Sequence, residues 1–128
     1  MCLTATSQLL TAAQDIICFK NGEINGTTFE PPYNDFEYHK GQRTNRVPIK
    51  RGSHVYEGYH TYNNLKDAQD TSRNVGIFII PKGELYIEGY FNGRDNRVSA
   101  SLLYFGNYKW WNIRRLKKKY GKNCLETL

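Results

Sequence analysis

Apolar and polar positions are most regular between residues 75 and 105. Val75-Gly76-Ile77-Phe78-Ile79-Ile80 is a β-branched run closed by Pro81-Lys82-Gly83, the pattern of a buried strand. From Glu84 to Phe91 the chain alternates, with Leu85 and Ile87 on one side and Tyr86 and Tyr90 on the other. Asn92-Gly93 is a favoured hairpin turn pair. Arg97 to Phe105 then reads as the return strand, ended by Gly106-Asn107. The pattern predicts a three-stranded antiparallel meander over residues 75–105.

The pattern upstream is more broken. Thr4 to Gln14 predicts a short helix or an ordered arm. Asp15 to Lys20 is an apolar run closed by Asn21-Gly22, read as a strand ending in a turn, and Asn25-Gly26 is a second turn signal. Pro31-Pro32 forbids helix in the irregular stretch Thr27 to Lys50. Asn45 to Lys50 reads as an edge strand, because Pro48 cannot donate to a ladder. His54 to Tyr62 alternates in part, and Asn63 is the expected N-cap of a short helix over Leu65 to Thr71. Near the end, Trp110, Ile113, Leu116 and Tyr120 fall within an arc of about 120° at 100° per residue. That spacing predicts a C-terminal helix with Trp110 and Ile113 docked on the sheet and Gly121 as its stop.

Charge changes the picture of that last segment. Seven of the eighteen Lys and Arg residues lie within 109–122: Lys109, Arg114, Arg115, Lys117, Lys118, Lys119 and Lys122. Outside it, eleven basic residues face twelve acidic ones, so the net charge of +6 is local. A compact cation beside large aromatics is the usual footprint of a polyanion contact, with Trp111 or Tyr120 available to stack on bases. The same segment also suits a plain amphipathic helix with a solvated outer face, or an anionic lipid surface.

Composition bounds the rest. At 128 residues, with ten Tyr, six Phe and two Trp, the chain reads as a single domain over 1–128 of α+β class: an antiparallel sheet with one or two short helices and a basic C-terminal helix. Cys2, Cys18 and Cys124 are odd in number and form no C-x-x-C pair, so no disulfide framework is expected. The start lacks the charge and apolar run of a signal peptide, and no apolar stretch approaches a membrane span. The reading is therefore a protein of the cell interior, or of a particle assembled there.

No catalytic motif is present. His39, His54 and His60 show no metal spacing with the cysteines, no phosphate-binding glycine loop occurs, and the twelve acids form no obvious pair, so neither metal nor cofactor is expected. Cys2 would become an N-terminal nucleophile if Met1 were removed, but nothing in the sequence supplies an oxyanion hole, and an inert cysteine is the simpler reading. One alternative ligand site stands out: Tyr56, Tyr59, His60 and Tyr62 beside Gly58, where phenols and an imidazole invite a nucleotide. A half-buried structural histidine explains the same residues.

Met1-Cys2-Leu3-Thr4, Asp15 to Lys20, Glu57 to Tyr62 and Ile80 to Tyr86 together resemble small uncharacterised proteins encoded by tailed phages and prophages. The resemblance covers residues 1 to 105 with gaps and excludes the basic tail. It implies a phage context, in the host cytoplasm or the virion, and no functional residue. The expectation is a small non-enzymatic binding protein, concerned with host interaction or defence evasion, that meets nucleic acid or an acidic protein surface through residues 109–122. Two other expectations remain. One is a nucleotide-pocket protein, either a sequestering binder or a small transferase. The other is a structural virion component that forms homo-oligomers.

Overall fold

The computed structural model describes residues 4–5, 8–31, 36–49, 57–69, 74–91 and 93–125. The strands are β1 (Thr4–Ala5), β2 (Leu10–Thr11), β3 (Ile16–Asn25), β4 (Thr28–Glu30), β5 (Tyr38–His39), β6 (Tyr59–Tyr62), β7 (Asn74–Ile80), β8 (Leu85–Phe91), β9 (Arg94–Ser99) and β10 (Leu103–Asn107). Helix α1 spans Leu65–Gln69 and helix α2 spans Trp110–Tyr120. The fold is predominantly antiparallel β with few and short helices, so the sheet of the expected α+β class is present and its helical share is small.

β3 organises the sheet. Its residues 16–22 pair with β7, Phe19 also pairs with Tyr62 of β6, and its far end forms a hairpin with β4. β4 pairs with β5, and the chain after β5 reaches β10 through Lys40 opposite Tyr104 and Arg43 opposite Leu103. β10 pairs with β7, so the path β3–β4–β5–β10–β7–β3 closes on itself. A second wing leaves β3 through β6, β9 and β8, with β1 and β2 on its outer edge.

Alternation along the strands separates two cores. Cys18, Phe29, Tyr38, Phe78, Leu102 and Tyr104 point into the closed path. Phe78 sits at its centre, with ring centroids 5.2 Å from Phe29, 4.9 Å from Tyr38 and 5.0 Å from Tyr104. Ile17, Phe19, Ile77, Ile79 and Phe105 point to the other side, where Ala68 of α1 and Leu116 of α2 cover them. β7 is therefore buried on both faces, which is why its sequence is continuously apolar rather than alternating.

Several expectations change. The meander forms only in its second half: β8 and β9 pair antiparallel as expected, from Phe91 opposite Arg94 onward, but β7 pairs with β3 and β10 and not with β8, because Pro81 to Gly83 carries the chain to the other wing. The return strand splits into β9 and β10 around Ala100 to Leu102, where Ala100 is held by Leu85 O (2.9 Å) and by Val47 N (2.8 Å). Asn21-Gly22 is not a turn. β3 runs through it to Asn25, and Gly22 is there because a Cβ would lie 2.3 Å from the Glu30 carbonyl oxygen. The turn comes at Gly26, with φ of 64°. Asn64, not Asn63, caps α1, its Oδ1 accepting from Asp67 N at 2.9 Å. The segment 45–49 is not a strand, although Val47 N donates to Ala100 O. In the N-terminal segment, β1 and β2 form an arm on β8. Cys2, Pro32, Lys50, His54, Tyr56, Thr71 and Asn92 lie outside the described residues.

Candidate nucleic-acid interface on helix α2

Helix α2 follows β10 directly, and a buried asparagine fixes its first turn. Asn112 is fully buried, and its Nδ2 donates to the Asn107 carbonyl at 2.9 Å and to Asn107 Oδ1 at 2.7 Å. Asn112 Oδ1 accepts from Arg115 Nη1 at 2.9 Å. Gly106 makes room for this: it has φ of 154°, and a Cβ there would lie 2.7 Å from the Asn112 amide. At the other end the Tyr120 hydroxyl donates to Asp15 Oδ2 at 2.8 Å. Burial would raise the Asp15 carboxyl, but bonds from Lys82 N–H and Tyr120 outweigh it and the pKa falls below its usual value. Burial and that bond to Asp15 push the Tyr120 phenol up. Leu116 lies between these anchors, fully buried against the sheet.

The seam is thus Asn112, Ile113, Leu116 and Tyr120, rotated away from the expected one. Trp110 does not dock: it is 69% exposed, and Trp111 is 45% exposed. Asn112 fills the inward position that a scan for apolar residues passes over. At 100° per residue, Trp110, Trp111, Arg114, Lys117 and Lys118 share an outer arc of about 120°. The two indole rings meet edge to face, with centroids 5.7 Å apart and planes at 84°.

The cationic residues of the segment divide into two groups. Arg115 lies over the Phe105 ring at 4.6 Å besides bonding Asn112, and Lys119 lies 5.4 Å from the Tyr120 ring. Tyr120 is tied to Asp15 and is half-buried, so it offers no free stacking face of the kind the sequence suggested. All seven cations are exposed and none forms an ion pair among the described residues; Lys109, Arg114, Lys117, Lys118 and Lys122 also lack the ring contacts of Arg115 and Lys119. The helix begins at Lys109 without a side-chain cap and has no acidic residue in its first turn. The positive end of its dipole is therefore not neutralised locally.

The alternative site is not one pocket. Tyr59 and His60 project to opposite faces of β6. Tyr59 donates to Asn45 O at 2.9 Å and packs near Phe36 and Tyr38. His60 and Tyr62 line a small cleft with Lys20, Asn21, Thr61 and Asn96, of about 30 Å³. That is space for a water or two, not for a base. The Lys20 ammonium is buried, donates to the His60 carbonyl and lies 5.6 Å from the Tyr38 ring. Burial lowers its pKa to about 8. Burial, with the Lys20 charge nearby, lowers His60 to about 4. His60 Nε2 and Asn96 Oδ1 are buried without a protein partner.

One buried carboxylate escaped the sequence. Glu84, 1% exposed, accepts from Ser101 Oγ and Arg43 Nη2 at 2.5 Å each, from Leu85 N at 2.8 Å and from Arg46 Nε at 3.1 Å. Burial alone would raise its pKa, but these bonds hold it at about 2. The network ties the 43–46 segment to the β7–β8 corner, so its role is structural. Among the described residues no cluster of metal-ligating side chains occurs, and no helix is long and apolar enough to cross a membrane. Cys18 and Cys124 are free thiols. The chain matches no known protein-family model, and neither a curated protein nor a solved structure is significantly similar to it.

Proposed function

We propose that this is a non-enzymatic binding protein whose outer α2 face, Trp110, Trp111, Arg114, Lys117 and Lys118, contacts nucleic acid. One observation carries the reading. Both tryptophans are exposed on the face of α2 that carries Arg114, Lys117 and Lys118, while the buried seam is taken by Asn112 and Leu116. Beyond their contact with each other, these indoles leave apolar surface in water, and beside phosphate-binding cations that surface is suited to nucleic acid. The uncapped positive end of α2 adds attraction for phosphate. Lys109 and Lys122 extend the cationic strip at either end, whereas Arg115, Lys119 and Tyr120 serve the fold. The resemblance to phage-encoded proteins sets this binding in an infected host cell or a virion, where host interaction or defence evasion is the natural use.

The test is binding to labelled single strands and duplexes across a salt series. Wild type is compared with a variant carrying Arg114→Gln, Lys117→Gln and Lys118→Gln. Wild-type affinity is expected to fall steeply with salt. Each phosphate contact contributes about 0.7 to 0.9 to the logarithmic slope, so the variant should lose about two to three units of it. Absence of binding at low salt, or an unchanged slope in the variant, overturns the proposal.

A further inference from the structure

We infer that the nucleic acid recognised by α2 is single-stranded, with Trp110 and Trp111 each stacking on a different unpaired base. This rests on the reading of α2 as a nucleic-acid contact and names the class of ligand. The two indole planes stand at 84° to each other with centroids 5.7 Å apart, so one ring's edge meets the other's face. Two bases stacked on these rings would themselves lie nearly perpendicular. Neighbouring bases in a duplex are parallel and closed between their neighbours, so a duplex offers such a pair of planes only at a frayed end. A single strand turns its bases independently, and every base has a face to offer.

The cations fit the same ligand. Arg114 and Lys118 follow Trp110 at four-residue steps, each about 6 Å further along the axis, and Lys117 lies one turn after Arg114. A strand stacked at the first turn of α2 can therefore run its phosphates along Arg114, Lys117 and Lys118. Arg115, held over Phe105, borders this track without joining it. Exposure also suits stacking: Trp110 at 69% and Trp111 at 45% leave indole surface accessible beside the cations.

The chain holds only two tryptophans, and both are at this site, so selectively excited indole fluorescence reports it alone. The probe is a mixed-sequence strand of about twelve nucleotides, within the range that one small domain covers. The comparison is the blunt duplex made from it. The strand should quench the fluorescence saturably and the duplex should not. Trp110→Ala and Trp111→Ala should each weaken strand binding about tenfold or more, while Trp110→Tyr, which keeps a stacking plane, loses less. Duplex affinity should stay within about twofold in all three.

If strand and duplex bind equally and neither quenches, the single-strand inference fails while the phosphate contact stands. Should neither bind at low salt, both readings fail. If neither strand nor duplex quenches while anionic phosphatidylglycerol vesicles shift the emission to the blue, the face belongs to a membrane surface and the inference is overturned.

Discussion

Aromatic rings and cations meet in two places in this molecule, and the two places treat them in opposite ways. Inside the closed strand path, Phe29, Tyr38, Phe78 and Tyr104 use one another's faces and edges, and the Lys20 ammonium beside Tyr38 is stripped of water. On the outer face of α2, Trp110 and Trp111 meet edge to face yet stay exposed, and Arg114, Lys117 and Lys118 are exposed to water. The interior set has no contact left to offer, so its energy lies in the fold. The α2 set contributes little to the fold, and on the proposed reading its value lies in contact with a nucleic acid. Substitutions should therefore separate cleanly, with interior changes lowering stability and α2 changes lowering binding alone.

The largest expected effect tests the interior half. Phe78→Ala removes the ring on which three others converge and should cost about 3–5 kcal/mol in chemical denaturation at pH 7. Under conditions where the variant is still folded, its affinity for a single strand should equal wild type. A loss of affinity in the folded variant would mean that the two regions are coupled. Glu84→Gln comes next. It weakens the acceptor that holds Arg43, Arg46, Ser101 and Leu85 N and should cost about 2–4 kcal/mol, again without changing affinity. Arg43 and Arg46 are half-exposed, so water can take over part of what they lose, and the smaller end of that range is the expectation.

How much of this was visible in the chain follows from which signals are local. The strands over 75–80 and 85–91 were legible because burial imposes period and composition directly on neighbouring residues. Their pairing was not. Whether β7 joins β8 or β3 depends on a partner nearly sixty residues away, and Pro81-Lys82-Gly83 serves a corner as well as a hairpin. Gly22 looked like a turn residue because Asn-Gly usually is one; that a carbonyl from Glu30 occupies the Cβ position leaves no local trace. The cationic residues of α2 could be found in the sequence, but the direction of its seam could not. Trp110 is the more apolar choice and Asn112 the polar one, yet the amide satisfies the open end of β10 and the indole is turned outward. Arg115 and Tyr120 were indistinguishable from free contact residues until Phe105 and Asp15 were seen beside them. Nor did anything in the sequence mark Glu84 among twelve acids.

A pH series sharpens the contrast between the two kinds of cation. The Lys20 pKa falls from an ordinary 10.5 to about 8 through burial. Below pH 8 the ammonium is charged in both states, so the folded protein bears the full penalty of burying it. Between about 8 and 10.5 the unfolded chain binds the extra proton, so this contribution to stability rises with pH. The stability of wild type relative to Lys20→Met should accordingly improve across that window. Comparison with the variant removes the opposing effect of Cys18, which burial raises to about 11. A flat difference for Lys20 would show that its ammonium is not buried.

The smallest effects fall on two adjacent residues and divide the comparison most finely. Arg114 and Arg115 carry the same charge one position apart, about 100° around the helix. Arg115 stacks over Phe105 and donates to Asn112, so Arg115→Gln should cost about 0.5–1.5 kcal/mol of stability. Its salt slope should change less than that of Arg114→Gln, because the guanidinium is held against Phe105 and Asn112 and away from the outer face. Arg114 has no partner among the described residues, so Arg114→Gln should change stability by no more than about 0.5 kcal/mol. It should lower the salt slope for a single strand by about 0.7, the signature of one lost phosphate contact. Equal losses of affinity in the two variants would mean that net charge near the C-terminus matters and its placement does not. Opposite outcomes would show that this helix assigns its cations one by one, some to the sheet beneath it and some to the strand above.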